Sequence, residues 1–192
     1  MKTNGNDLEK RQKEKIKYWY EKMKQPLFET FPRRIKEILK DEEQTVIDNY
    51  KQSLFITGES GVGKTVEVYR RLLSWHRTSF SFAGVPSPTF WNVPKLLNHL
   101  RDLIQKPDEK NDLMYKLQKC SLLILDDIGA HNMTDWATEC LYIIIDTRYE
   151  AMKTTWYVSN FDLERLAELA DDDRLVRRIA SDIDGNLLLF KK

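Results

Sequence analysis

One stretch limits the folds open to this chain more than any other: a short apolar run, a glycine-rich loop and an amphipathic segment in immediate succession. The loop reads Gly58-Glu59-Ser60-Gly61-Val62-Gly63-Lys64-Thr65, a complete GxxxxGK[ST] pattern. Its glycines let backbone N–H groups turn inward around phosphate oxygens, and the helix that follows aims its positive end at them. The pattern carries meaning only between a strand and a helix. Ser53-Leu54-Phe55-Ile56-Thr57 supplies the β-prone run. Val66 to Arg77 has apolar residues at Val68, Leu72 and Trp75 and at Val66, Tyr69 and Leu73, which is helical spacing. The stretch therefore predicts a nucleoside triphosphate site made by Gly58 to Thr65, with Val66 next in the helix. Lys64 would reach the β- and γ-phosphates, and the Thr65 hydroxyl would ligate Mg²⁺.

Downstream, strand-like and helix-like segments alternate. The pattern predicts strands at Leu54–Thr57, Thr89–Trp91, Leu122–Asp126, Thr155–Ser159 and Leu187–Phe190. It predicts intervening helices at Val66–Arg77, Lys95–Gln105, Asn111–Lys119, Thr134–Met152, Leu163–Ala170 and Arg174–Ser181. Such alternation signals an α/β fold with a parallel sheet flanked by helices. Leu122-Leu123-Ile124-Leu125 and Leu187-Leu188-Leu189-Phe190 are unbroken apolar runs, expected of strands buried on both faces. Ligands of these sheets bind at the carboxyl ends of the strands, so functional residues should follow them directly.

Ahead of the sheet, residues 1–50 read as a helical basic arm and residues 51–192 as the nucleotide-binding domain. Residues 1–40 hold 12 Lys/Arg against 6 Asp/Glu, a local +6 that the remainder reduces to +1 for all 192 residues. The chain as a whole is not a polycation. Ile16, Trp19, Tyr20 and Met23 form a stripe at helical spacing in Lys10–Lys24, suited to a protein partner, while the interleaved Lys15, Lys17, Lys22 and Lys24 suit a single nucleic-acid strand. Arg33 to Tyr50 resumes a helical pattern after Pro26 and Pro32. Cys120 and Cys140 lack ligand spacing and read as small buried residues in a reducing compartment. No apolar run approaches a membrane span, so a cytoplasmic location is expected.

Three further places carry chemistry. Asp126-Asp127 ends the Leu122–Leu125 run. Asp126 is the candidate Mg²⁺ ligand, and Asp127 the group that orients or polarises the attacking water. An aspartate at 127 has a shorter reach than glutamate, so slow hydrolysis is expected. Asn160 ends the next strand, where it would hydrogen-bond the water or the γ-phosphate, or else initiate an Asx turn before the following helix. Finally, Asp171-Asp172-Asp173 opens a helix bearing Arg174, Arg177 and Arg178. Arg174 and Arg178 share a face, and Arg178 is the first candidate for an arginine reaching a neighbour's γ-phosphate.

In this order the segments GESGVGKT, FWNVPKLLNHL, LLILDDIGAHNMTDWATECLYIIIDTRYE, YVSN and DRLVRRI resemble the AAA+ helicase loaders of the DnaC/DnaI type and the related IstB transposition ATPases. The resemblance runs from about Leu54 to Phe190, and Asp126-Asp127-Ile128-Gly129-Ala130, Thr134-Asp135-Trp136 and Asp146-Thr147-Arg148-Tyr149 are its most specific part. It implies an AAA+ P-loop core with a five-stranded parallel sheet and no C-terminal lid. It also implies ATP/ADP and Mg²⁺ as ligands, head-to-tail self-association, contact with single-stranded DNA and a replicative helicase as partner. Family members place DNA-contacting helices between Leu96 and Cys120; here Lys95, Arg101, Lys106, Lys110, Lys116 and Lys119 are diluted by Asp102, Asp108, Glu109 and Asp112. Only about fifty residues precede the phosphate loop, without cysteines, where loaders carry a helicase-binding domain, so a phage or mobile-element version is plausible. The resulting expectation is an ATP-hydrolysing helicase loader. The alternatives are a transposition ATPase, and an interaction protein that modulates a helicase or loader with ATP as a structural ligand.

Overall fold

The computed structural model describes residues 32–39, 52–79, 88–130, 133–170 and 173–191. They fall into two compact units. One comprises α1 (Arg33–Leu39) and the part of α2 (Lys64–Ser79) from Val66 onward. Within it Ile35, Leu39, Val68, Leu72 and Leu73 are buried, and Glu67 pairs with both Arg70 and Arg71. The expected helix Lys10–Lys24 with its Ile16/Trp19/Tyr20/Met23 stripe lies outside the described residues, as do Asp171 and Asp172.

The other unit holds the phosphate loop and the sheet. Its strands are β1 (Leu54–Gly58), β2 (Thr89–Asn92), β3 (Leu122–Ile128), β4 (Thr154–Ser159) and β5 (Leu187–Phe190). They form one five-stranded sheet in the order β2-β3-β4-β1-β5, parallel at every pairing. The helices are α3 (Val93–Asp102), α4 (Pro107–Lys119), α5 (Asp135–Glu150), α6 (Leu163–Leu169) and α7 (Arg174–Ile183). Phe55, Leu123, Leu125 and Tyr157 on one sheet face share a core with Leu96 and Leu100 of α3, Leu117 of α4, Leu141 and Ile144 of α5, Leu166 of α6 and Ile179 of α7. Each such side chain contributes roughly 1.5–3 kcal/mol relative to an exposed one.

Two expectations need correcting. Leu187–Phe190 is not buried on both faces: β5 is an edge strand, and Leu187 and Leu189 stand 49% and 56% exposed. An unbroken apolar run cannot by itself tell a central strand from an edge. Helix α4 also starts four residues earlier than expected, with Pro107 in its first turn, where the missing proline N–H has no helical partner to lose.

Arg148, on α5, is fully buried and works as a staple. It donates to the carbonyls of Leu117 and Cys120 at the end of α4 (2.8 and 2.9 Å), to the Thr154 carbonyl (2.6 Å) and to Thr155 Oγ1 (2.9 Å). Burial pulls its pKa below the usual guanidinium value. Its planar fork satisfies the last carbonyls of one helix and the first residues of β4 together.

Candidate nucleotide-binding and hydrolysis site

Strand β1 ends at Gly58, where φ is +145° and a Cβ would collide with the Phe190 carbonyl of β5. Only glycine lets the chain leave the sheet this close to its neighbour. Gly61 and Gly63 follow with φ of +84° and +100°, and a Cβ on either would meet nothing within 4 Å. The loop thus has open room over a left-handed backbone, which fits a phosphate chain lying against its N–H groups at the start of α2.

Lys64 is 8% exposed, and its Nζ donates to the carbonyls of Gly58 (2.6 Å) and Glu59 (2.8 Å) and to Asn160 Oδ1 (2.8 Å). Three acceptors match the three N–H donors of an ammonium. Burial lowers the Lys64 pKa, and the nearby Asp126 and Asp127 carboxylates oppose that shift.

At the end of β3 the ladder with β4 slips between Leu125 and Ile128. The irregularity puts Asp127 at φ +68°, a conformation that aspartate tolerates better than most residues. Its Oδ1 accepts from Asn160 Nδ2 at 3.2 Å, and its Oδ2 accepts from Asn92 Nδ2 at 3.4 Å. Asn160 therefore touches Lys64 with its carbonyl and Asp127 with its amide. The cap of α6 falls to Asp162, which accepts from the Arg165 N–H, and Asn160 Oδ1 accepts instead from Lys64.

Burial pushes the Asp126 carboxyl above the ordinary aspartate value, the adjacent Asp127 charge adds to this, and the Asp127 backbone N–H and Lys64 pull the other way. Two adjacent carboxylates thus face the single Lys64 ammonium, which leaves the pair short of positive charge. The hard oxygen donors of Asp126 and Thr65 suit Mg²⁺, which would supply that charge. No cluster of three or more His, Cys, Asp or Glu side chains able to hold a metal by themselves exists among the described residues. A cation here would take its remaining ligands from phosphate and water.

Two residues of this site carry no role in the sequence reading. Asn92 caps α3, its Oδ1 accepting from the Lys95 N–H, while its amide reaches Asp127. The signal was present, since Asn-Val-Pro is a helix-start signature, yet it leads only to the cap and not to a partner 35 residues away. Ser159 is fully buried; it donates to the Ile128 carbonyl (2.7 Å) and accepts from the Phe161 N–H (3.0 Å). It clasps the slipped end of β3 to the turn that carries Asn160.

Arg174 and Arg178 lie apart from these hydrogen bonds, on α7. With Arg177, Ser181 and Tyr142 they line a cavity of about 270 Å³. Arg174 is 56% exposed, 3.7 Å from Glu139 and above the Tyr142 ring. Arg178 is 25% exposed, 2.7 Å from Asp146 and over the Tyr149 ring. At the start of α4 Lys106 pairs with Glu109, and within the helix Lys116 pairs with Asp112. Arg101 of α3 lies over the Trp136 ring. Cys120 and Cys140 are buried and unbridged. No helix among the described residues is long and apolar enough to cross a membrane.

The model of the family described as IstB-like ATP binding protein matches residues 32–183. The chain is 31% identical over 116 residues to the replicative helicase loader DnaI of Bacillus subtilis, a stretch covering 60% of this chain and 35% of that protein. The chain thus spans about a third of that relative's length. Its backbone is similar to a crystal structure of the DnaC helicase loader, with a TM-score of 0.61, 22% identity and coverage of 82% of this chain and 86% of that one. It is also similar to the replication initiator DnaA bound to AMPPCP and single-stranded DNA, with a TM-score of 0.59, 20% identity and coverage of 86% and 49%. With a matched span covering most of its length, the chain belongs to the IstB-like ATP-binding family, and its parallel sheet has the AAA+ fold of the DnaC/DnaI-type helicase loaders.

Proposed function

We propose that the chain is an ATP-hydrolysing helicase loader, in which residues 51–192 form the ATPase module and residues 1–50 contact a partner. The carrying observation is Asn160, whose two amide atoms join the phosphate-loop Lys64 to Asp127. A site built only to hold a nucleotide has no need to tie the phosphate-binding ammonium to a second strand-end carboxylate.

Bound ATP supplies the γ-phosphoryl group, and Mg²⁺ would supply charge between the phosphate oxygens. In this reading Lys64 transfers its donors from the loop carbonyls to phosphate oxygens, and Thr65 and Asp126 hold the cation. Asp127 accepts a hydrogen bond from the attacking water and aligns it, a role worth roughly 10²–10⁴-fold in rate. Asn160 and Asn92 hold one carboxylate oxygen each and so fix its plane. Arg178, with Arg174 second, stabilises charge on a nucleotide held by a neighbouring copy. Single-stranded DNA and a replicative helicase are the proposed partners, because similar proteins include a replicative helicase loader and an initiator bound to single-stranded DNA.

Turnover of Lys64→Ala and Asp127→Asn, measured with and without single-stranded DNA, tests the enzymatic part; wild-type rates in both variants would refute it. The IstB-like match keeps the transposition ATPase expected from the sequence as the second reading. Pull-down against a replicative helicase and a transposase in parallel separates the two.

A further inference from the structure

Asp146 and Tyr149 belong to the family-specific stretch of α5, yet neither takes part in the nucleotide site described above. With Tyr142 they fall at i, i+4 and i+7, one stripe of α5 turned toward α7. Two of them engage one side chain: Asp146 Oδ1 lies 2.7 Å from Arg178 Nη2, and the Tyr149 ring centroid lies 4.4 Å from the guanidinium carbon, while the Tyr142 ring lies under Arg174. The neighbouring arginines are held less closely: Arg174 is 56% and Arg177 70% exposed, against 25% for Arg178. Yet Arg178 still lines the open cavity it shares with them.

We propose that Asp146 and Tyr149 are positioning residues that hold the Arg178 guanidinium ready for a nucleotide bound to a second copy of this chain. The inference rests on the trans-acting arginine reading and goes further, assigning the setting of that arginine to α5 of its own subunit. A long side chain that must find its pose at every encounter spends rotamer entropy at the moment of reaction, whereas one clamped on a ring face and against a carboxylate has lost that freedom at folding. Preorganised charge is also the kind that stabilises a developing anion most effectively. A contact that merely tied α5 to α7 would not need its guanidinium to keep one side open to a cavity.

Mixed assemblies test this. An Asp127→Asn chain keeps Arg178 and lacks the water-orienting acid; an Arg178→Ala chain keeps its phosphate loop and Asp127 and lacks the arginine. Each alone should turn over ATP slowly, and their mixture should recover activity at the second chain's sites. Adding Asp146→Asn to the Asp127→Asn chain should lower the recovered rate roughly tenfold, and Tyr149→Leu about threefold. The same substitutions in the Arg178→Ala chain should leave recovery unchanged, because no arginine remains there to be positioned. Equal damage in either chain would make the contact structural and overturn the proposal, as would no damage in either. A mixture of the two parent variants that recovers nothing would refute the trans-acting arginine itself, and the positioning role with it.

Discussion

The two ends of β4 solve opposite problems with charged side chains. At its start, Thr154 and Thr155 receive the Arg148 fork, whose close hydrogen bonds leave a fully buried cation with acceptors on every side. At its finish, Ser159 and Asn160 border two consecutive carboxylates, one of them in a left-handed backbone and held by contacts of 3.2 and 3.4 Å. The first cluster is complete within the chain. The second has long bonds, like charges side by side and an ammonium occupied by loop carbonyls. In the proposed function, phosphate and a cation would complete it. Stability and ligand demand are thus separated along one six-residue strand.

The sharpest way to break this comparison is to exchange consequences between the ends. Asp127→Asn should lower ATP turnover by roughly 10²–10⁴-fold and leave thermal unfolding unchanged or slightly improved, since it removes one of two adjacent carboxylates. Arg148→Met should do the reverse. It strands the buried carbonyls of Leu117, Cys120 and Thr154, and should cost about 3–5 kcal/mol in denaturant unfolding, while the fraction that remains folded still binds nucleotide. Arg148→Lys should recover only a minor part, because a point ammonium cannot span the fork's acceptors. If Arg148→Met unfolded within about 1 kcal/mol of the parent, the staple would not be the stabilising end.

The reach of sequence reasoning followed the same division. The phosphate-loop motif was legible because it is contiguous, and the gathering of Lys64, Asp127 and Asn160 because the acidic and the amide residue end apolar strands beside it. Asn92 was not, because its role depends on which strand lies beside β3, and register between strands is invisible in a single segment. β5 misled for the same reason: its apolar residues are those of a central strand, but its position in the sheet is last. The stretch Asp146-Thr147-Arg148-Tyr149 was singled out without roles. Its periodicity predicts a helix, but only packing reveals that Arg148 faces the end of α4 while Asp146 and Tyr149 face Arg178.

A smaller effect sharpens how the ligand-demanding end is held. Ser159→Ala removes the clasp between the Ile128 carbonyl and the Phe161 N–H, at a cost of about 1–2 kcal/mol in stability. Because the clasp sets the slipped end of β3, the turnover number should fall by roughly tenfold with nucleotide affinity nearly unchanged. A loss confined to stability would mean that Asp127 keeps its orientation through Asn92 and Asn160 alone.

The smallest predicted effect concerns pH, and it addresses the incompleteness of the cluster at the finish of β4 directly. The Asp126 carboxyl is raised above its ordinary value by burial first and by Asp127 second. Between the unfolded value of an aspartate and the raised folded value, the folded state binds more protons than the unfolded one. Stability of the ligand-free protein therefore falls as pH rises through that window, the opposite of a carboxylate held in a salt bridge. Asp126→Asn removes the titrating group, so it should flatten this dependence and slightly stabilise the ligand-free protein at neutral pH. The gain should disappear on addition of Mg²⁺ and ATP, which stabilise the parent by mass action and the variant far less. Unfolding curves at several pH values, with and without Mg-ATP, read both quantities. If Asp126→Asn lowered ligand-free stability at neutral pH, the aspartate would already be satisfied within the chain, and the contrast between the two ends of β4 would fail at its ligand-demanding end.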